Sequence, residues 1–280
     1  MPQPHTASDC RNALILTVES TRKWRLHGCC NDAVGRELFG AAAILSNMAG
    51  WMAMDISLHG LGQRYYTQAA ALARHAGDRA YGAYAIGNLA TQALLVGQTR
   101  TSIRLARTAR AAGGRAVTPA LTARLAGTEA MAHAITGDRH ETHRMLRIAS
   151  AAMERSDPAR DPGWLGVFTP AHHAGNVMRA LRDLADPATA SSHAADALNL
   201  PARNTRTHAL HSILYASVLL DRGDLDGAIQ AAIPVQQAAS GLKSQRLNYR
   251  LDEFTTRLAP YRQSPIVMDY LEADAGRHRR

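Results

Sequence analysis

His59-Gly-Leu-Gly-Gln-Arg-Tyr-Tyr-Thr-Gln-Ala-Ala-Ala-Leu-Ala-Arg-His-Ala-Gly-Asp78 carries the pattern that decides the fold. Its alanines and leucines recur at helical spacing, a glycine stands near each end, and no catalytic motif runs through it. Similar turn signals close apolar-periodic windows at Gly60, Gly97, Gly137 and Gly223, and Gly137-Asp138 and Gly223-Asp224 also offer a cap to the next helix. The intervals are 37, 40 and 86 residues, and the last divides into 49 and 37 if Asp186-Pro187 is a degenerate turn. Repeats of that length built from paired helices are the mark of an α-solenoid. Ala53, Ala90, Ala130 and Ala216 stand seven residues before the turns, and Tyr65, Ser102, Thr142 and Ala228 five after them. Small side chains suit both places, because two helices of a hairpin cross there.

Composition agrees. Hydrophobic residues make up 46% of the 280, much of it alanine, against 5% aromatic, so the core is continuous but made of small pieces. That favours an all-α fold over sheets. The turns predict helices at 10–27, 32–58, 61–76, 79–96, 99–113, 118–136, 139–156, 164–184, 188–199, 204–222, 225–240 and 243–259. They form one domain over 10–275, with about five to six hairpins, between a flexible start at 1–9 and a disordered basic tail at 276–280. Met1 to Asp9 lacks the apolar run of a signal peptide, and the apolar window from Leu38 to Met54 is short for a bilayer span. Cys10, Cys29 and Cys30 give neither a disulfide framework nor a metal spacing, so reduced thiols in a cytoplasmic protein are expected.

The run Gly50-Trp51-Met52-Ala53-Met54-Asp55, continuing through His59-Gly60-Leu61, Gln63 to Tyr66, Gln68-Ala69 and Ala76-Gly77-Asp78, resembles the tetratricopeptide-like C-terminal region of actinobacterial helix-turn-helix transcriptional regulators. The likeness continues through Gln92-Ala93, Leu105-Ala106-Arg107, Asp161-Pro162 with Trp164-Leu165, and Arg182-Asp183-Leu184. It implies a tetratricopeptide-like α-solenoid that binds a peptide, a small molecule or a partner subunit. In such regulators a DNA reader precedes the helical region; here about 30 residues do, so the expectation is the sensor half without its own DNA-binding domain. This chain departs from the pattern at Phe168-Thr-Pro-Ala-His172-His173-Ala-Gly-Asn176, where similar sequences tend to carry acids, and a retuned ligand site is expected there.

First helices of successive hairpins line the concave face of such a solenoid. Thirteen residues before the turns stand Asn47, Tyr84, Arg124, His173 and Leu210; ten before stand Gly50, Gly87, Gly127, Asn176 and Ile213. The two rows share a helix face. Glycine inside a helix costs roughly 1 kcal/mol against alanine, so three of them ask for either tight helix contact or room for a ligand. Asn88 and Gln92 lie one step round the same helix. The candidate ligand-binding set is therefore Asn47, Tyr84, Asn88, Gln92, Arg124, His173 and Asn176.

Catalysis has weaker support. His140-Glu-Thr-His143 spaces its imidazoles at i, i+3 rather than the i, i+4 of metal-protease helices, and no phosphate loop or nucleophile elbow occurs, so neither metal nor cofactor is expected. If the fold were an enzyme, His173, Tyr84 and Arg124 would carry acid-base chemistry on a small biosynthetic substrate. The net charge is +9, and no acid falls between Asp78 and Glu129, where Arg100, Arg104 and Arg107 make a basic stripe at i, i+4, i+7. The stripe suits a solvated face or an acidic protein partner. It carries no aromatics for base stacking, which disfavours nucleic acid. No membrane contact is expected, and a homodimer is compatible with the surface.

Overall fold

The computed structural model describes residues 32–202, 204–242 and 244–278. The helix expected at 10–27, the flexible start at 1–9, all three cysteines and the final Arg279-Arg280 lie outside the described residues. Within them the chain is all-helical, 82% helix without a strand, in thirteen consecutively packed α-helices. These are α1 (Asp32–Asp55), α2 (His59–Ala76), α3 (Arg79–Leu95), α4 (Thr99–Gly113), α5 (Pro119–Ile135), α6 (Arg139–Glu154), α7 (Pro170–Asp183), α8 (Pro187–Ser192), α9 (Ala194–Leu198), α10 (Thr205–Asp221), α11 (Leu225–Leu242), α12 (Gln245–Arg257) and α13 (Pro265–His278). Contacts gather into two compact units. The first holds described residues up to Glu129 together with Glu154–Gly166, and the second holds Ala130–Met153 with Val167 onward.

Local chemistry sets the boundaries. Gly77, Gly137 and Gly223 take positive φ of 75, 75 and 81° and end a helix, while the aspartate after each caps the next one. Asp78, Asp138 and Asp224 accept from the backbone N–H of Tyr81, Glu141 and Gly227 at 2.8, 3.0 and 2.9 Å. Two further turns use residues other than glycine in the same conformation, Ser57 at φ 62° and Ala185 at 59°. Gly60 is thus the second residue of α2, and Ser57 makes the turn. With that correction the spacing becomes more regular: Ser57 to Gly97 and Gly97 to Gly137 are each 40 residues, Gly137 to Ala185 is 48 and Ala185 to Gly223 is 38.

The crossing positions move with the turns. Five residues after them stand Gly62, Ser102, Thr142, Ala190 and Ala228, all small and all buried. Seven before stand Gly50, Ala90, Ala130, Met178 and Ala216. A Cβ on Gly62 would lie 3.3 Å from the Gly50 carbonyl oxygen, and Ser102 donates its hydroxyl to the Ala90 carbonyl at 2.8 Å, so these columns mark where paired helices touch. In α2 the buried face is Gly62, Tyr66, Ala69 and Ala73, so the helix crossing expected at Tyr65 falls at Gly62. The space above Gly50 receives the Tyr66 ring.

Other corrections have local causes. The helix expected from 164 begins at Pro170, whose ring suits a first turn and which lacks the N–H an interior position requires. The 188–199 helix breaks at His193 into α8 and α9. No helix was expected over α13, yet Val267, Tyr270 and Asp274 bury one stripe of it. Tyr270 meets Phe254 edge-on, and Asp274 accepts from Gln236 and Thr255. The same helix makes the first three residues of the expected disordered tail helical, through His278.

Candidate functional site

In the first unit five of the expected site residues converge. Tyr84, Asn88 and Gln92 recur at i, i+4, i+8 on α3, Asn47 comes from α1 and Arg124 from α5. Asn88 Nδ2 donates to Asn47 Oδ1 at 2.7 Å, and Arg124 Nη2 donates to Asn88 Oδ1 at 2.5 Å. Gln92 reaches sideways to the His59 carbonyl. The Arg124 guanidinium lies 4.7 Å from the Tyr84 ring centroid and 6.0 Å from that of Trp51, so aromatic faces meet its charge. Trp164 stacks beside Tyr84 at 4.8 Å and stands edge-on to Tyr81 at 5.0 Å. Burial raises the Tyr81 pKa strongly, helped by Tyr84 and Asp78.

This cluster is closed: Asn47, Tyr84, Asn88, Gln92 and Arg124 are each under a tenth exposed. The glycines beside it are occupied by contact. A Cβ on Gly50 would sit 2.5 Å from the Tyr66 ring, and one on Gly87 would overlap a Leu125 methyl. Of the two readings of these glycines, close packing is the one their geometry satisfies. Arg124 Nη1 is the one guanidinium nitrogen of that residue buried without a hydrogen bond.

The basic stripe on α4 is exposed at Arg100, Arg104 and Arg107, but Arg107 is also committed inward. With Arg110 it clamps the fully buried Glu129, at 2.7 and 2.5 Å. His140 and Glu141 pair weakly at the surface, at 3.5 Å, and His133 lies 3.4 Å from Asp138. Among the described residues no three His, Cys, Asp or Glu side chains are placed to hold a metal ion.

The remaining two expected residues, His173 and Asn176, belong to the second unit. His173 is buried, with Nε2 3.1 Å from Ser150 Oγ and Nδ1 making no hydrogen bond. Burial, and secondarily His193, lowers its pKa and keeps it neutral. His172 has a structural role: its Nδ1 lies 2.9 Å from the hydroxyl of Thr169, the residue that starts α7.

Asn176 lines a cavity of about 70 Å³ in the second unit. Its walls come from α7 (Gly175, Arg179, Arg182), α10 (Leu210, His211, Ile213, Leu214, Ser217) and α12 (Arg246, Arg250, Glu253). Four guanidiniums and one carboxylate, Glu253, line it, with Asp183 and Asp221 paired to the arginines from just outside the wall. Arg250 is fixed on Glu253 at 2.6 Å and Arg182 on Asp221 at 2.9 Å. Arg179 approaches Asp183 to 3.4 Å, yet its Nε makes no hydrogen bond. Burial, then the neighbouring Arg250, lowers the Arg179 pKa to about 10, which still leaves it charged at neutral pH. His211 enters the wall because Gly175 has no Cβ: one there would lie 2.5 Å from the imidazole. Its Nδ1 is 2.7 Å from the Ala197 carbonyl, which can only accept, so the proton sits on Nδ1 and Nε2 holds the lone pair. Burial lowers the pKa of His211 as well.

The sequence reading assigned no site role to these arginines or to His211, although Asn176, Arg179 and Arg182 at i, i+3, i+6, and Arg246, Arg250 and Glu253 at i, i+4, i+7, are helix-face spacings. Those spacings also fit a solvated face; only the tertiary packing turns them inward. The sequence matches no protein-family model, and comparison with curated proteins returns no match.

Proposed function

We propose that the chain is a tetratricopeptide-like helical-repeat module that binds a small molecule without transforming it, of the kind its sequence resembles in the sensor regions of actinobacterial regulators. The turn spacing near 40 residues and the buried small residues at the helix crossings support the repeat. One observation carries the binding reading: polar groups of α7, α10 and α12, each the first helix of a pair, converge on one cavity in the second unit. A ligand there would touch three helices at once and favour whichever arrangement of them fits it best, which is a population shift that a partner surface can read.

The enzymatic reading rests on Ser150 and His173. Their 3.1 Å contact joins a hydroxyl to a neutral imidazole, as nucleophilic catalysis needs. The third member of a triad would orient the imidazole through Nδ1, and that nitrogen makes no hydrogen bond. Binding therefore has the better support. A thermal-shift screen of anionic, neutral and cationic metabolites, with mass-spectrometric analysis of the mixtures, tests it. Stabilisation without conversion is expected; conversion lost on Ser150→Ala would replace this reading with the enzymatic one, and a screen without a single stabilising compound would contradict both.

A further inference from the structure

Resting on that binding reading, we propose that the cavity lined by Arg179, Arg182, Arg246 and Arg250 is a phosphate site, filled by free phosphate or by the phosphate group of a small monoester. Four guanidiniums converge there, and although Asp183, Asp221 and Glu253 lie against three of them, Glu253 is the one carboxylate in the cavity wall, so N–H donors outnumber the acceptors that face the space. Glu253 and Asp221 hold Arg250 and Arg182 in place, so the donors are oriented before any anion arrives. Arg179 is largely buried beside Arg250, and its Nε, 3.4 Å from Asp183 Oδ2, makes no hydrogen bond, so an anion in the cavity would add the acceptor this guanidinium lacks.

The arrangement selects among anions. The donors approach from different helices and so from different directions, which matches a tetrahedral group; a planar carboxylate is satisfied by one arginine fork. A cavity of about 70 Å³ holds a few atoms, the size of one such group rather than of a whole nucleotide. The Nε2 lone pair of His211 adds an acceptor for a protonated phosphate oxygen.

Calorimetric titration of the full chain with inorganic phosphate, glycerol 3-phosphate, acetate and chloride at one ionic strength tests the site. Phosphate or its monoester should bind at least about tenfold more tightly than acetate or chloride. The stronger of the two identifies the source, free ion or monoester. Arg179→Gln should weaken binding about tenfold or more, whereas Arg100→Gln with Arg104→Gln on the exposed α4 stripe should leave it unchanged. Should Arg179→Gln prove unstable, Arg179→Lys keeps the charge but loses the fork, and should still bind more weakly than the parent. Equal loss in the α4 variant would reduce the effect to surface charge and overturn the proposal. So would absence of phosphate binding at about 10 mM. If phosphate fails while another compound binds and is weakened by Arg179→Gln, only the ligand class falls. If no compound binds in the cavity, the binding reading falls with it.

Discussion

At the scale of single residues, Asn88 shows how much the first unit depends on satisfied polarity. It is fully buried, accepts from Arg124 and donates to Asn47. Asn88→Ala takes a hydrogen-bond acceptor from buried Arg124 and a donor from buried Asn47, and should cost about 2–4 kcal/mol in urea unfolding. A loss below about 0.5 kcal/mol would mean that water reaches these groups. Gly50 gives a test of opposite intuition. Alanine has the better helix propensity by about 1 kcal/mol, yet a methyl here would enter the Tyr66 ring, so Gly50→Ala should destabilise by about 1–3 kcal/mol. The sequence marked Asn47, Tyr84, Asn88, Gln92 and Arg124 as neighbours because they share a helix face across successive repeats. It could not show that they close on one another, since closure depends on Tyr66 and Leu125 filling the glycine spaces. Histidines give a pH signature. His173 and His211 are held below their ordinary value near 6.5 by burial, so the unfolded chain binds more protons below that pH. Their contribution is complete above about pH 6.5 and is lost as the pH falls through 6.5 toward the lowered folded values. Urea midpoints should drop on acidification through that range, and His173→Gln should lessen the drop; midpoints that rise would reverse the sign.

At the scale of elements, the turns explain what was legible. Gly-Asp signals at Gly77, Gly137 and Gly223 placed helix ends to within a residue or two, because glycine pays no Cβ penalty at positive φ and the aspartate beside it caps the next helix. Ser57 and Ala185 make the same turn without the signal, so the first hairpin was set three residues late and the fourth one residue late. Both residues carry the strain of a left-handed L-residue. Ala185→Gly should therefore stabilise by about 0.5–1 kcal/mol, while Gly137→Ala should destabilise by about 1–2 kcal/mol. Thermal unfolding of the two variants checks this; a fall in midpoint for Ala185→Gly would show that its strain is relieved elsewhere. Helix α13 was missed for another reason. Its buried stripe of Val267, Tyr270 and Asp274 includes an acid, which hydrophobic periodicity counts as surface, and hydrogen bonds such as those from Gln236 and Thr255 make its burial tolerable.

At the scale of the molecule, an alanine-built helical chain presents two polar concentrations of different character. The one in the first unit consumes its own hydrogen bonds; the one in the second surrounds a cavity with more donors than it has internal acceptors. Sequence patterning reached the all-helical class and most helix ends, because both come from short-range spacing. Which polar face encloses space was beyond it, since that depends on how α7, α10 and α12 meet. No described helix is long and apolar enough to cross a membrane. The central claim is that a ligand is gripped by those three helices together. Amide hydrogen exchange of the wild-type chain, with and without the compound that stabilises it most, measures this directly. Protection concentrated in α7, α10 and α12 is predicted; protection confined to other helices, or none at a saturating concentration, would contradict it.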